Sequence, residues 1–191
     1  MAAGASPFIT AHPRALADDG GARHLQRGRR MPDIELPTTS GQRLSMARVA
    51  GLVVVYCYPW TGRPGEPNPP GWDDIPGAHG STPQAEGFRD LYDGFRQIEA
   101  SVFGLSTQSV AYQRELVERL GLPFELLSDE GFVLADALAL PTFRTGGVAY
   151  LKRLTIALRD GRIERVYYPV PLPQAHAREV CAWLGMTHRS H

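Results

Sequence analysis

Ser81 stands at the junction best suited to chemistry in this chain. A buried strand is expected to end near Pro59, a loop rich in proline and glycine crosses residues 60–80, and a helix is expected to open at Ser81 or Thr82. The first backbone N–H groups of a helix have no partner inside it, and the macrodipole leaves that end partly positive. Such a place stabilises an anion. A cysteine there would ionise to a reactive thiolate, whereas a helix end does not ionise a serine hydroxyl comparably. On its own terms Ser81 reads as an N-cap, worth about 1 kcal/mol to the helix. His79, two residues earlier, is the candidate base in the neighbourhood. The Ser81–His79 spacing fits no nucleophile elbow, and a histidine in a glycine-rich loop is ordinarily solvated. Glu86 is expected in the first helical turn, where its carboxylate complements the dipole and would repel a thiolate.

The chain's two cysteines, Cys57 and Cys181, lie elsewhere. They are too few for a disulfide framework or a cysteine-rich zinc site. Cys57 ends an apolar run two residues before Pro59, and its neighbours Tyr56 and Tyr58 supply no positive charge. A free cysteine in that setting is most often a small buried hydrophobe; a redox centre is the other reading. Cys181, between Val180 and Trp183 in the last helix, reads as core. Arg153 beside Lys152 reads, taken alone, as a solvated strand charge.

The elements that must position these residues follow from periodicity. Residues 52–58 form a continuous β-branched and aromatic run, as in a strand buried on both faces. Phe88, Leu91, Tyr92, Phe95 and Ile98 mark a helical stripe. Ile34, Leu36 and Leu44 flank a turn and predict a hairpin. Further strands are expected at 102–106 and 124–127, helices at 111–120, 132–138 and 174–184, and a hairpin of 153–158 with 163–168. Strands alternating with helices, then a hairpin, predict an α/β three-layer sandwich with a central mixed sheet. Residues 1–30 are expected to be a flexible extension or loosely docked arm before a domain at 31–191. The density of proline and glycine in 60–80 excludes helix and central strand. A loop of this length is usually functional, and Trp60 and Trp72 are expected to pin it to the body.

A length of 191 residues suits one domain, and 43% hydrophobic with 21% charged residues is ordinary for a globular protein. Zero net charge argues against nucleic-acid or membrane-surface partners. The run at 52–58 falls far short of the roughly 20 residues that span a bilayer. The first ten residues lack a secretory pattern. Arginines crowd the first thirty, yet Asp18 and Asp19 count against an organellar leader, so a cytoplasmic location is expected. Basic residues comprise 19 arginines and a single lysine, Lys152.

Several ordered stretches carry a resemblance. They are Met31-Pro32-Asp33-Ile34-Glu35-Leu36, Val55-Tyr56-Cys57-Tyr58-Pro59, the segment Gly80-Ser81-Thr82-Pro83-Gln84-Ala85-Glu86-Gly87-Phe88-Arg89-Asp90, Leu105-Ser106, and Arg153 at the later hairpin. Over residues 31–184 the chain resembles the peroxiredoxins of the alkyl hydroperoxide reductase/thiol-specific antioxidant family, in particular the peroxiredoxin Q (bacterioferritin comigratory protein) branch. The resemblance implies a thioredoxin-like fold and an oxidoreductase with antioxidant activity, acting on small peroxides with a thiol reductant such as thioredoxin. It implies no metal or cofactor, and a homodimer is common among related folds. In the family one cysteine attacks peroxide and a second, five residues on, resolves the sulfenic acid as a disulfide. By position these fall on Ser81 and Glu86, the family's threonine falls on Ala78, and its strand-end proline on Pro59. Thr61, within the insertion, is placed to approach the site. The family's arginine falls on Arg153, which with the helix end would hold a small anion. The frame is present without its thiols, so thiol peroxidase activity is expected to be absent or strongly reduced. Two other functions stay open: a binding or scaffold module on a retired redox fold, contacting partners through Trp60 and Trp72, or an oxidoreductase built on Cys57.

Overall fold

A computed structural model describes residues 16–188, and side chains through residue 185. The run of apolar residues at 52–58 forms β3 (Leu52–Cys57), preceded by the small hairpin β1 (Leu36–Pro37) and β2 (Arg43–Leu44). All six β3 residues are buried. Val53, Val55 and Cys57 face one apolar cluster and Leu52, Val54 and Tyr56 face the other, so every side chain of the strand is used. Full burial of each valine or leucine here contributes roughly 1.5–3 kcal/mol.

After the 60–80 loop come α1 (Ser81–Asp90), α2 (Tyr92–Gln97), β4 (Ala100–Ser106), α3 (Val110–Leu120), β5 (Leu126–Ser128) and α4 (Val133–Leu138). The chain then makes the hairpin β6 (Thr142–Thr145) and β7 (Val148–Leu151), the hairpin β8 (Leu154–Arg159) and β9 (Arg162–Tyr167), and α5 (Pro173–His188). The main sheet has the order β5-β4-β3-β8-β9. β3, β4 and β5 run parallel, while β8 is antiparallel to both β3 and β9. Helical residues Phe88, Phe95 and Val180 pack on one face, and Leu134 and Leu138 of α4 on the other. This is the expected three-layer α/β sandwich with a mixed sheet. Two local readings change. The helical stripe from Phe88 to Ile98 is broken at Leu91 into α1 and α2. The β6–β7 hairpin, assigned no element from sequence, turns through Gly146 and Gly147, both at positive φ.

The flexible extension expected over 1–30 does not describe residues 16–30; residues 1–15 lie outside the described part. Ala22 and Leu25 are buried in the core cluster that holds Cys57. Gly28 N–H donates to Ile163 O at 2.7 Å and Met31 N–H to Gly161 O at 2.9 Å, so the arm continues the sheet along the start of β9. Of the two readings, the docked arm is the one that fits residues 16–30, and it is held more firmly than two isolated apolar residues without a periodic trace suggest. Farther out, Asp19 accepts from Lys152 Nζ at 2.6 Å and from Tyr168 Oη at 2.7 Å. The hydrogen bond from Lys152, then that from Tyr168, holds the Asp19 carboxyl well below its ordinary range. A lowered carboxyl pKa contributes stability above the unfolded value, about 3.9, and loses it as pH falls further. Asp19→Asn should therefore loosen the arm at neutral pH. Tryptic cleavage after exposed Arg23 is expected to speed up severalfold, with the rest of the domain resisting as before.

Candidate functional site

Gly80 is the residue that lets α1 begin where it does. It sits at φ 102°, and a Cβ there would lie 2.4 Å from Pro173 Cγ at the start of α5. Only glycine adopts this backbone at that spacing. Gly80→Ala is expected to cost at least about 2 kcal/mol from strain alone, lowering the thermal midpoint by roughly 4–8 °C; an unchanged midpoint would show that the loop shifts freely.

With Gly80 as the cap, Ser81 is the first helical residue and makes no capping bond. The N-cap reading of Ser81 is thus corrected: its hydroxyl is taken by a tertiary partner. Ser81 is 4% exposed, and its Oγ accepts from Arg153 Nη2 at 3.0 Å. Glu86 falls in the second turn rather than the first. It is half-buried, and among the described residues it forms no ion pair.

Arg153 is the hub. It is 3% exposed, so the solvated-charge reading does not hold. Its Nη2 also donates to Ala78 O (3.3 Å) and His79 O (3.0 Å), and its Nη1 to Gln84 Oε1. Among the described residues no carboxylate pairs with it, and burial lowers its pKa to about 10. Buried charges are ordinarily paired; this one is held only by neutral acceptors and the Ser81 hydroxyl.

A pocket of about 120 Å³ opens over the start of α1, lined by Trp60, Thr61, His79, Gly80, Ser81 and Thr82 among others. Water occupies about 30 Å³ in the liquid, so the pocket suits a small anion or peroxide. Drug-sized ligands need roughly 300–1,000 Å³. Thr61 reaches the pocket from the insertion and is fixed there, its N–H and Oγ1 donating to Gln108 Oε1 at 3.1 and 3.2 Å. Tyr112 Oη donates to Thr61 O at 2.9 Å. Pro59 is buried and does not line the pocket; its carbonyl accepts from Ser106 Oγ at 3.5 Å.

Three residues of a hydrolase triad are near one another without forming one. His79 Nε2 bonds Asp73 Oδ1 at 2.8 Å, on the exposed side of the loop. No hydrogen bond joins His79 to Ser81, whose Oγ faces a guanidinium. A general base must be within hydrogen-bond reach of the proton it takes. Trp72, 2% exposed, packs on Trp60, Phe143 and Tyr150 and pins the loop to the β6–β7 hairpin, as expected of it.

Neither cysteine joins the site. Cys57 is fully buried on the opposite face of β3 from α1, and burial, with Asp129 adding to it, pushes its thiol pKa far up. Such a thiol is inert rather than reactive. Cys181 is half-buried on α5, and burial raises its pKa too; both cysteines are free. Sequence reasoning missed Gln84 and Gln108. Gln84 lies three residues after Ser81, on the same side of a helix, and that spacing was the available signal.

The central mixed five-stranded sheet with helices on both faces is the thioredoxin-like fold of peroxiredoxins. The solved structure of peroxidoxin BcpB from Mycobacterium tuberculosis shares it, with a TM-score of 0.68 and 27% identity over 85% of this chain and 98% of that one. Peroxiredoxin Q of Xylella fastidiosa superposes with a TM-score of 0.70 at 23% identity, a likeness of fold. The AhpC/TSA family matches residues 76–164. Chloroplastic peroxiredoxin Q of Sedum lineare is 31% identical over 157 residues, covering 81% of this chain and 75% of that protein. The same comparison with peroxiredoxin Q of Oryza sativa subsp. japonica gives 31%, and the chain spans 64% of that protein's length. The chain belongs to the AhpC/TSA family, among the relatives of peroxiredoxin Q.

Proposed function

We propose that this protein keeps the peroxide-sized site of its family and lacks its thiol chemistry. Ser81 takes the position of the attacking cysteine and Glu86 that of the resolving one. The observation that carries this reading is the bond from buried Arg153, which pairs with no carboxylate among the described residues, to Oγ of Ser81, a residue that lines the small pocket. Because Ser81 Oγ accepts from Arg153, its own proton is left to donate. Together with the unpaired N–H groups at the start of α1, it suits a small anion or a peroxide oxygen. A hydroxyl so placed does not cleave an O–O bond, and a carboxylate at 86 forms no disulfide for a thioredoxin-type reductant to reduce.

Stopped-flow mixing of the protein with hydrogen peroxide and dithiothreitol tests the reading. Peroxide is expected to disappear at the uncatalysed rate; turnover at an ordinary peroxiredoxin rate would overturn it. The other two functions have less support. Cys57 is buried with a raised pKa, and Trp72 of the proposed contact surface is itself buried.

A further inference from the structure

We propose that a second cavity, behind Arg153, binds a small amphipathic organic monoanion. It measures about 460 Å³, nearly four times the Ser81 pocket and within the range of small-molecule sites. Neither Ser81 nor Thr61 lines it. Its wall is largely apolar: Leu16 from the arm, Ile75 and Pro76 from the loop, and Phe143 from β6. Its polar end gathers Lys152, Arg153, Asp19 and Tyr168.

That polar end already holds a carboxylate. Asp19 accepts from the Lys152 ammonium at 2.6 Å and from the Tyr168 phenol at 2.7 Å. An ammonium has three N–H donors, and Lys152 uses one of them on Asp19. Arg153 Nε, also buried, has no acceptor. Among the lining residues two cations stand against one carboxylate, an excess of one positive charge at the head of an apolar cavity, while Asp18 acts on Tyr168 from outside the lining. A dianion would meet repulsion from Asp19, and a neutral ligand would leave the excess unanswered. A monocarboxylate with an aromatic or branched body fits both ends.

Lys152 is the chain's single lysine, so one side-chain amine reports on the cavity. The full-length protein is titrated with sodium benzoate, with benzyl alcohol as the neutral counterpart, and amide chemical shifts are followed. Benzoate is expected to shift the amides of Ile75, Phe143, Lys152 and Tyr168 saturably, and the alcohol to bind at least about tenfold more weakly, the worth of one charge-assisted hydrogen bond. Lys152→Gln should weaken benzoate at least about tenfold. Because that change also frees Asp19, protection in the unaltered protein is the second readout: benzoate should slow acetylation of Lys152 by acetic anhydride. Absence of saturable shifts, equal binding of the alcohol, or acetylation indifferent to benzoate would each overturn the proposal. Shifts confined to Thr61, Ser81 and Thr82 would also overturn it, moving the anion to the smaller pocket. None of these results bears on the peroxide assay, so the two readings fail separately.

Discussion

Ser81→Cys is expected to install a thiol that is ionised at neutral pH and oxidised by peroxide. The sulfur would stand at the first residue of α1, where the serine oxygen now lies 3.0 Å from Arg153 Nη2. Helix N-termini and adjacent cations lower cysteine pKa values to about 3.5–7.5. Burial opposes this, since the position is 4% exposed. Arg153 tips the balance: its charge is neutralised by no carboxylate among the described residues, and its own pKa is lowered to about 10 by burial. A thiolate beside it relieves the desolvation of both groups. With a pKa of about 6 the thiolate fraction at pH 7 is roughly 90%, against roughly 3% for a free cysteine at 8.5. That is a gain of about thirtyfold in nucleophile before any orientation effect. The thiolate sulfur attacks one peroxide oxygen, the O–O bond breaks, and the sulfenic acid forms as hydroxide leaves and takes a proton from solvent to become water. With glutamate still at 86 the oxidation stops there, or proceeds to sulfinic acid, until an external thiol is supplied. Thiolate absorbance against pH measures the first claim, and intact mass after one equivalent of peroxide measures the second. A thiol at 81 titrating near 8.5 or above would mean that Arg153 and the helix end do not act together on this position.

How far the chain could be read in advance depends on where each structural cause resides. β3 was plain because its cause is local: six consecutive buried residues leave one uninterrupted apolar run. The start of α1 was plain to within a residue because Pro83 sits in its first turn. The role of Ser81 was not. Local preference favours serine as an N-cap, yet the chain turns into the helix through Gly80 and Ser81 bonds a residue 72 positions away. Arg153 shows the same limit. Beside Lys152 it looks like any surface charge, and only the resemblance pointed it inward. The arm is the third case. Ala22 and Leu25 are ordinary residues among glycines and arginines, and their burial follows from the open start of β9, which a one-dimensional pattern does not display.

Replacing Arg153 by methionine sets two large effects against each other, and their magnitudes decide the outcome. Removing a buried cation relieves its desolvation. A fall in pKa from 12.5 to about 10 corresponds to about 3 kcal/mol. Exchange of buried charges for apolar side chains is for this reason often neutral or stabilising. Here the guanidinium also serves four acceptors: Ala78 O, His79 O, Gln84 Oε1 and Ser81 Oγ. Each buried acceptor left without a donor costs about 1–3 kcal/mol. The bond to the His79 carbonyl is only partly buried, so that oxygen can recover water, while Gln84, Ala78 and Ser81 are 0%, 1% and 4% exposed. Three buried acceptors cost about 3–9 kcal/mol against about 3 kcal/mol of relieved desolvation, and Arg153→Met should lower stability by about 3 kcal/mol in denaturant unfolding. Arg153→Lys keeps the charge and three donors but not the planar fork, so its loss should be smaller, about 1–2 kcal/mol. Equal losses in the two variants would assign the effect to geometry alone, and a neutral Arg153→Met would mean that the four acceptors find other donors. The order methionine worse than lysine is what a network held by both charge and fork requires, and the same network fixes the Ser81 oxygen on Arg153.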